Sequence, residues 1–284
     1  MISKAGFLKT FRFWRMFVDG FVCTISLSAL TVVFGFILAL ILAVARLSNF
    51  RPLKGLGIAA DGSQRTDLVG KISMFNPLAF LATCYVEIFR ATPMLVQLFV
   101  VYYILMAPFN IPRIMLFGTI RFERFVPGVV ALSLNSAAYL SEIIRSGIQS
   151  IDGGQTEAAR SLGLSQFQTM KLIILPQAIK NILPAIANEF VTIIKESSIT
   201  YTIGVQEIMY AVNSVKGATF SIAEPLVISA VIYFCLTFPT SKIIAHFERK
   251  MGAGSNRNAN QSRPSKRAQI AMDHERKAKR GGRA

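Results

Sequence analysis

Long apolar runs, separated by short polar stretches, dominate the pattern of this chain. The run at 20–45 contains no charged residue, and about 20 apolar residues in a helix are enough to cross the hydrocarbon core of a bilayer. Further long apolar runs, each with one to three charged residues, follow at 77–106, 125–147, 181–204 and 225–247. The pattern therefore predicts an all-α integral membrane protein with five transmembrane helices.

The second predicted span contains residues that are unusual in a lipid-facing helix. Glu87 and Arg90 lie three positions apart and therefore share one helix face. They are either a structural ion pair or a contact with a partner or gate. The second alternative is considered because charges at membrane depth tend to be functional. Thr92 and Pro93 follow, and we expect a kink there because proline lacks a backbone donor.

Polar side chains also recur at helical spacing in the third and fourth predicted spans. They are Asn135, Ser136, Tyr139 and Glu142 in the third span, and Asn188 and Glu189 in the fourth. Such residues either join neighbouring helices through hydrogen bonds or line a polar route across the membrane. In the second case, Glu189 is a candidate for selecting a cationic substrate. The sequence leaves both interpretations open.

Composition supports a membrane protein and argues against several other classes. The chain is 52% hydrophobic and 16% charged, whereas a soluble domain is about 25% charged. The net charge of +16 would fit a nucleic-acid partner, but Lys and Arg fall between the apolar runs and at the C-terminal end, as membrane topology requires. Three cysteines in apolar segments and two distant histidines predict neither a disulfide nor a metal site.

The chain divides into three predicted parts. These are an extracytoplasmic segment at 1–16, a transmembrane domain at 17–250 and a basic cytoplasmic tail at 251–284, whose composition predicts disorder. Lys and Arg favour the cytoplasmic side, but their excess on the side of the C-terminus comes mainly from the tail. The orientation therefore depends on the role of the segment 150–176.

This segment, between the third and fourth predicted spans, is too polar to be a span. Asp152 or Thr156 can cap a short helix, which Gly163 would end in a left-handed conformation. Ser165 and Gln168 have the spacing of a capping box and predict the start of a second helix. The segment is therefore predicted to be a helix, a glycine turn and a second helix.

The second of these helices carries an apolar stripe that includes Phe167, and Lys171 lies on the same face. Pro176 is expected to stop or redirect the chain after it. An apolar stripe exposed at one side of a membrane is expected to be covered by a partner.

The spacing of residues in this segment resembles the coupling loop of permease subunits of binding-protein-dependent ABC importers. The matching residues are Glu157, Ala158, Ala159, Gly163, Ile173, Leu175 and Pro176. In that family the loop is cytoplasmic and docks into the ATP-hydrolysing subunit. The resemblance therefore implies that Phe167 and Lys171 also face that subunit, and that the C-terminus is cytoplasmic in a bacterial cell membrane.

Other stretches resemble the polar amino-acid branch of the same family, whose members transport histidine, glutamine or arginine. They are 87–97, which departs from the branch at Ala91, where glycine is usual, and 134–139 and 195–198. The resemblance implies a permease that acts with a second permease, as a homodimer or heterodimer, and with an extracytoplasmic binding protein that delivers a polar amino acid.

The resemblance also implies that the chain is not an enzyme and holds no cofactor. ATP and Mg would be bound by a separate ATP-binding subunit, and no phosphate-loop motif occurs in this sequence. A secondary transporter driven by an ion gradient remains the alternative, although such proteins usually carry repeated halves with broken helices.

Overall fold

Helices account for most of the chain in the computed structural model, which describes residues 3–48, 50–57, 67–116 and 118–261. The first half contains α1 (Lys4–Phe11), α2 (Trp14–Leu47), α3 (Leu68–Ser73), α4 (Pro77–Ala91) and α5 (Met94–Val100). The second half contains α6 (Phe122–Gln149), α7 (Gly153–Ser161), α8 (Gln166–Thr169), α9 (Leu175–Glu196), α10 (Ile208–Thr219) and α11 (Ala223–Gln261). The predicted helical class is confirmed.

Shorter elements join these helices. Two are π-helical segments, Val101–Leu105 and Met170–Ile174, and two are 3₁₀ helices, Lys54–Gly57 and Ser197–Ile203. A small antiparallel hairpin pairs β1 (Met115–Leu116) with β2 (Ile120–Arg121). The sequence pattern did not predict this hairpin, because two-residue strands leave no alternation to recognise.

The core is built around α6, which packs against α2, α4 and α9. Small residues let α2 and α6 approach closely: a methyl group added at Gly35 would lie 3.3 Å from the Ser136 side chain. Ala137 and Ala138 on α6 are fully buried. Because lipid provides no hydrophobic force between helices, such close packing is what holds them together in a membrane.

A sharp break interrupts the second predicted span. Helix α4 ends at Ala91, α5 begins at Met94, and their axes differ by 114°. Pro93 has a φ of −65°, which its ring imposes, and Thr92 before it is extended, since proline disfavours helical geometry in the preceding residue. Two consecutive non-helical residues explain why the predicted kink is in fact a break.

Within the described ranges, three helical segments are long and apolar enough to cross a membrane. They are Trp14–Leu47, Gln166–Ile203 and Ala223–Lys250, and the bent pair of α4 and α5 makes a fourth if it is one span. The predicted third span lies inside α6, whose Ser, Asn, Tyr and Glu side chains dilute its apolar residues. The count of five spans therefore stays a prediction.

Helix α11 extends beyond the last predicted span and ends at Gln261. Residues 251–261 of the predicted disordered tail are therefore helical, and 262–284 lie outside the described residues. No proline occurs between Pro239 and Pro264, so the helix can propagate residue by residue once formed. The chain divides after Ser241 into two units, and the core belongs to the first.

Candidate functional site

The segment after α6 forms the helix–turn–helix that the sequence predicts. Of the two candidate caps, Asp152 is the one used: its Oδ1 accepts a hydrogen bond from the Gly154 amide at 2.6 Å, at the start of α7.

Gly163 ends α7 with a φ of +85°. Its amide donates to the Arg160 carbonyl at 3.0 Å, and the Leu164 amide donates to the Ala159 carbonyl at 3.2 Å. This is the Schellman arrangement, in which a left-handed residue closes a helix.

The second helix begins with the predicted capping box. The Gln168 amide donates to Ser165 Oγ at 3.2 Å, and the Ser165 amide donates to Gln168 Oε1 at 2.8 Å. Helix α8 then runs through the π-helical segment into α9, and the whole helical path reaches from Gln166 to Ile203.

The expectation that Pro176 stops or redirects the chain is wrong. Pro176 lies in the first turn of α9, where a missing backbone donor is tolerated. The preceding π-helical turn, Met170–Ile174, already loosens the regular hydrogen-bond ladder. The proline therefore sits within a continuous helical path.

Large apolar side chains of this segment are open to the surroundings. Leu162 is 84% exposed, Phe167 73% and Leu172 58%, and the Lys171 ammonium lies 5.9 Å from the centre of the Phe167 ring. Glu157 is also exposed. We call these five residues the loop surface. Exposed apolar patches are found where a protein contacts another protein or a membrane.

The remaining predicted loop residues divide between surface and core. Ala158, Gly163, Leu175 and Pro176 are exposed, whereas Ala159 is buried. Leu162 is the most exposed apolar residue of the segment, but the sequence analysis did not include it. Its position directly before Gly163, at the end of a short polar helix, could have indicated that its side chain is exposed.

The predicted polar residues in α6 and α9 are not brought together as one set, but the Ser136 side chain of α6 lies beside the Glu189 carboxyl of α9. Asn135 and Ser136 are buried, and Ser136 faces Gly35 of α2. Tyr139 and Asn188 are exposed, and Glu189 is half-buried.

Asn135 belongs to a hydrogen-bond network at the break between α4 and α5. Its Nδ2 donates to Gln97 Oε1 at 2.7 Å. Gln97 Nε2 in turn donates to the Phe89 carbonyl at 2.7 Å, to the Thr92 carbonyl at 2.9 Å and to Thr92 Oγ1 at 2.8 Å. Gln97 therefore occupies the inside of the bend and ties it to α6.

Glu142 is held by two arginines. Its Oε2 lies 2.7 Å from Arg46 Nη1, and its Oε1 pairs with Arg145 on the next turn of α6. Arg145 also donates to Gln149 at 2.5 Å. This cluster joins the C-terminal end of α2 to α6. Both oxygens of the Glu142 carboxylate are paired with arginines of the protein.

Arg90 interacts with Tyr139 rather than with Glu87. Its guanidinium carbon lies 5.9 Å from the centre of the Tyr139 ring, and among the described residues no ion pair joins Arg90 to Glu87. Whether these two residues have a structural or a gating role stays a prediction. At three positions apart on one helix they can meet, but the aromatic ring of α6 provides an alternative for the cation.

Comparison with known proteins identifies relatives over most of the chain. Residues 68–253 match the family described as binding-protein-dependent transport system inner membrane component. An arginine transport system permease protein of Bacillus subtilis is 45% identical over 181 residues, which cover 64% of this chain and 78% of that protein. A putative glutamine transport system permease protein of Rickettsia conorii is 35% identical over 234 residues, which cover 82% and 92% respectively.

A nopaline transport system permease protein of Agrobacterium fabrum is 34% identical over 223 residues, which cover 78% of this chain and 81% of that protein. Among solved structures, an amino acid ABC transporter crystallised with histidines has a TM-score of 0.71 and 35% identity, and the match covers 88% of this chain and 100% of that chain. An inward-facing methionine ABC transporter has a TM-score of 0.56 at 16% identity, covering 82% and 97% respectively. This second likeness concerns the fold alone.

Proposed function

The chain belongs to the family of binding-protein-dependent transport system inner membrane components, and from this premise we propose that it forms the translocation pathway of an ATP-driven importer for a polar amino acid. The substrate class is supported by the relatives named for arginine, glutamine and nopaline transport. In this proposal the chain lies in the bacterial cell membrane and crosses it five times, as the sequence pattern predicts.

One observation carries the coupling step of the proposal: Phe167, Lys171 and Leu172 of the loop surface lie on a helical path that continues into a segment long and apolar enough to cross a membrane. Gln166–Ile203 is one helical path of 38 residues, so a force applied at α8 reaches the span without an intervening flexible loop. The Schellman turn at Gly163 fixes the orientation of α7 relative to α8. Closure of ATP-binding subunits against the loop surface would thus move α9 as a rigid body.

The proposed partners follow from this arrangement. An ATP-binding subunit covers the loop surface and binds ATP and Mg, a second permease completes the pathway, and an extracytoplasmic binding protein delivers the amino acid. The loop and the tail at 251–284 are then cytoplasmic, and the segment 1–16 is extracytoplasmic.

The polar residues divide into structural ties and route residues. Asn135 donates a hydrogen bond to Gln97, and Glu142 pairs with Arg46 and Arg145, so their proposed role is to hold helices together.

The route is proposed to pass Tyr139, Asn188 and Glu189, which are at least partly open. Among the described residues, Glu189 forms no ion pair. A half-buried carboxylate inside a membrane protein attracts a cationic substrate side chain.

The energy source provides the test of this function. We expect uptake of labelled arginine or glutamine into membrane vesicles that contain the full complex to require ATP and the binding protein. An ionophore that removes ion gradients should leave the initial rate unchanged, and replacing the phosphate-loop lysine of the ATP-binding subunit should abolish uptake. Uptake that persists without ATP and collapses with the ionophore would instead establish a secondary transporter.

A further inference from the structure

A second site lies at the opposite end of α6 from the loop surface. It is a cavity of about 670 Å³ between the end of the bent helix, the chain at 107–113, the β hairpin and the first turns of α6. Three aromatic side chains and three arginines are among the residues that line it: Tyr102, Tyr103, Phe109, Arg113, Arg121 and Arg124. A volume of this size suits a small molecule or a lipid head group.

The cavity carries a positive charge that the described residues do not neutralise. Glu123 is the one carboxylate among its lining residues, so three guanidinium groups leave a net charge of +2. Among the described residues, neither Arg113 nor Arg121 forms an ion pair, and both are exposed.

Arg124 is fixed in place: its guanidinium lies over the Tyr102 ring at 5.2 Å, and its Nη1 donates to the Ile203 carbonyl at 3.4 Å. The cavity is therefore a preformed cationic site with one immobilised arginine and two free ones.

The length of α6 sets the depth of this cavity relative to the loop surface. Helix α6 has 28 residues, which span about 42 Å at the usual rise. This matches a bilayer with its head groups, which measures about 40–45 Å. A cavity at the N-terminal end of α6 therefore lies at head-group level in the leaflet away from the loop surface. Tyr103 and Phe109 at its rim are 63% and 64% exposed, and exposed aromatic rings are typical of this layer.

We propose that this cavity binds the head group of an anionic phospholipid in the outer leaflet, and that the net negative charge of that head group makes it preferred over a zwitterionic one. Guanidinium groups hold phosphate oxygens through paired, charge-assisted hydrogen bonds, and Arg113 and Arg121 are free to do so beside the fixed Arg124. The neighbouring aromatic rings cover the start of the acyl chains. An acidic side chain of the binding protein and free phosphate are the competing occupants, but neither requires a rim of exposed aromatic rings at head-group depth.

The test compares lipid binding to the purified permease–ATPase complex and to an Arg113→Gln, Arg121→Gln double variant. Native mass spectrometry would count bound phosphatidylglycerol and phosphatidylcholine with identical acyl chains, and a parallel titration would use inorganic phosphate. The matched control, Arg12→Gln with Lys216→Gln, removes two exposed positive charges that lie outside the cavity. Arg124 is left unchanged because it also supports the fold.

We expect the double variant to bind phosphatidylglycerol about tenfold more weakly, since hydrogen bonds to charged groups are the strong ones. Phosphatidylcholine binding should not change, which also verifies that the variant is folded, and the control should behave like the native protein. Equal phosphatidylglycerol binding in all three proteins would overturn the proposal. Arginine-dependent binding of inorganic phosphate without any lipid preference would overturn it as well.

The leaflet assignment rests on the proposed topology, but the lipid measurement does not depend on transport. A complex that fails to import amino acids can still be tested for lipid binding, and a complex without the lipid site can still be tested for ATP-dependent uptake. The two proposals therefore fail separately.

Discussion

Replacing Gly163 by valine is expected to abolish uptake while leaving the permease at its normal level in the membrane. Gly163 has a φ of +85° and open space around it, so the penalty is one of backbone conformation and not of crowding. A β-branched residue in this region is strained by about 1–3 kcal/mol. Relief of the strain would tilt α7 against α8 and weaken ATPase binding about tenfold, since 1.4 kcal/mol corresponds to a factor of ten.

Two control variants separate this effect from the loss of a glycine as such. Gly163→Asn should keep most ATPase binding, because asparagine tolerates the left-handed region. Gly153→Val, in the first turn of α7, also meets open space and has no positive φ, so it should transport normally. The measurements are ATPase copurification and uptake at equal permease levels. If the valine variant at 163 kept both, the loop would not be the coupling element.

Replacing Gln97 by leucine is expected to destabilise the permease more than any other single change in the polar network. The substitution removes the hydrogen bonds of the Gln97 side chain and leaves the Phe89 and Thr92 carbonyls and the Asn135 amide without this partner. A buried polar group left unpaired costs about 1–3 kcal/mol. We expect a loss of about 2 kcal/mol or more in the free energy of unfolding, or about 4–8 °C in Tm.

A double-mutant cycle identifies the part of this effect that belongs to the bend. Asn135→Leu removes one hydrogen bond, and the combined variant should lose less stability than the sum of the two single variants, because they share that bond. Thermal unfolding of the purified permease in detergent measures all three. Strict additivity would mean that Gln97 and Asn135 do not act on each other and that the bend is held by other contacts.

The sequence was most informative where the structure is local. Asp152, Gly163, Ser165 and Gln168 act within their own helix ends, and each behaves as its position predicts. Hydrophobic length likewise located the three apolar segments that are long enough to cross a membrane, because lipid imposes the same minimum on any helix. These features depend on residues within a few positions of each other, so a single sequence contains all the information needed to find them.

Sequence reasoning missed the features that depend on distant partners. Arg46 and Glu142 are 96 positions apart, and Gln97 meets Asn135 across 38 positions. Without these partners, the sequence left open whether Asn135 and Glu142 join helices through hydrogen bonds or line a polar route. The continuation of the helix past Pro176 was missed for a related reason. A helix tolerates proline in its first turn. Pro176 lies in the first turn of α9 because the π-helical segment before it ends at Ile174.

The most direct test of the central claim is photocrosslinking from the loop surface. Benzoylphenylalanine would replace Phe167, which is 73% exposed, and in a second protein Phe220, which is 92% exposed after α10. Both probes keep an aromatic side chain, and both are irradiated in the assembled complex within membranes. We predict that the probe at 167 forms an adduct with the ATP-binding subunit and that uptake falls with the crosslinked fraction, whereas the probe at 220 forms no such adduct. Adducts with that subunit from 220 and none from 167 would contradict both the coupling role and the orientation.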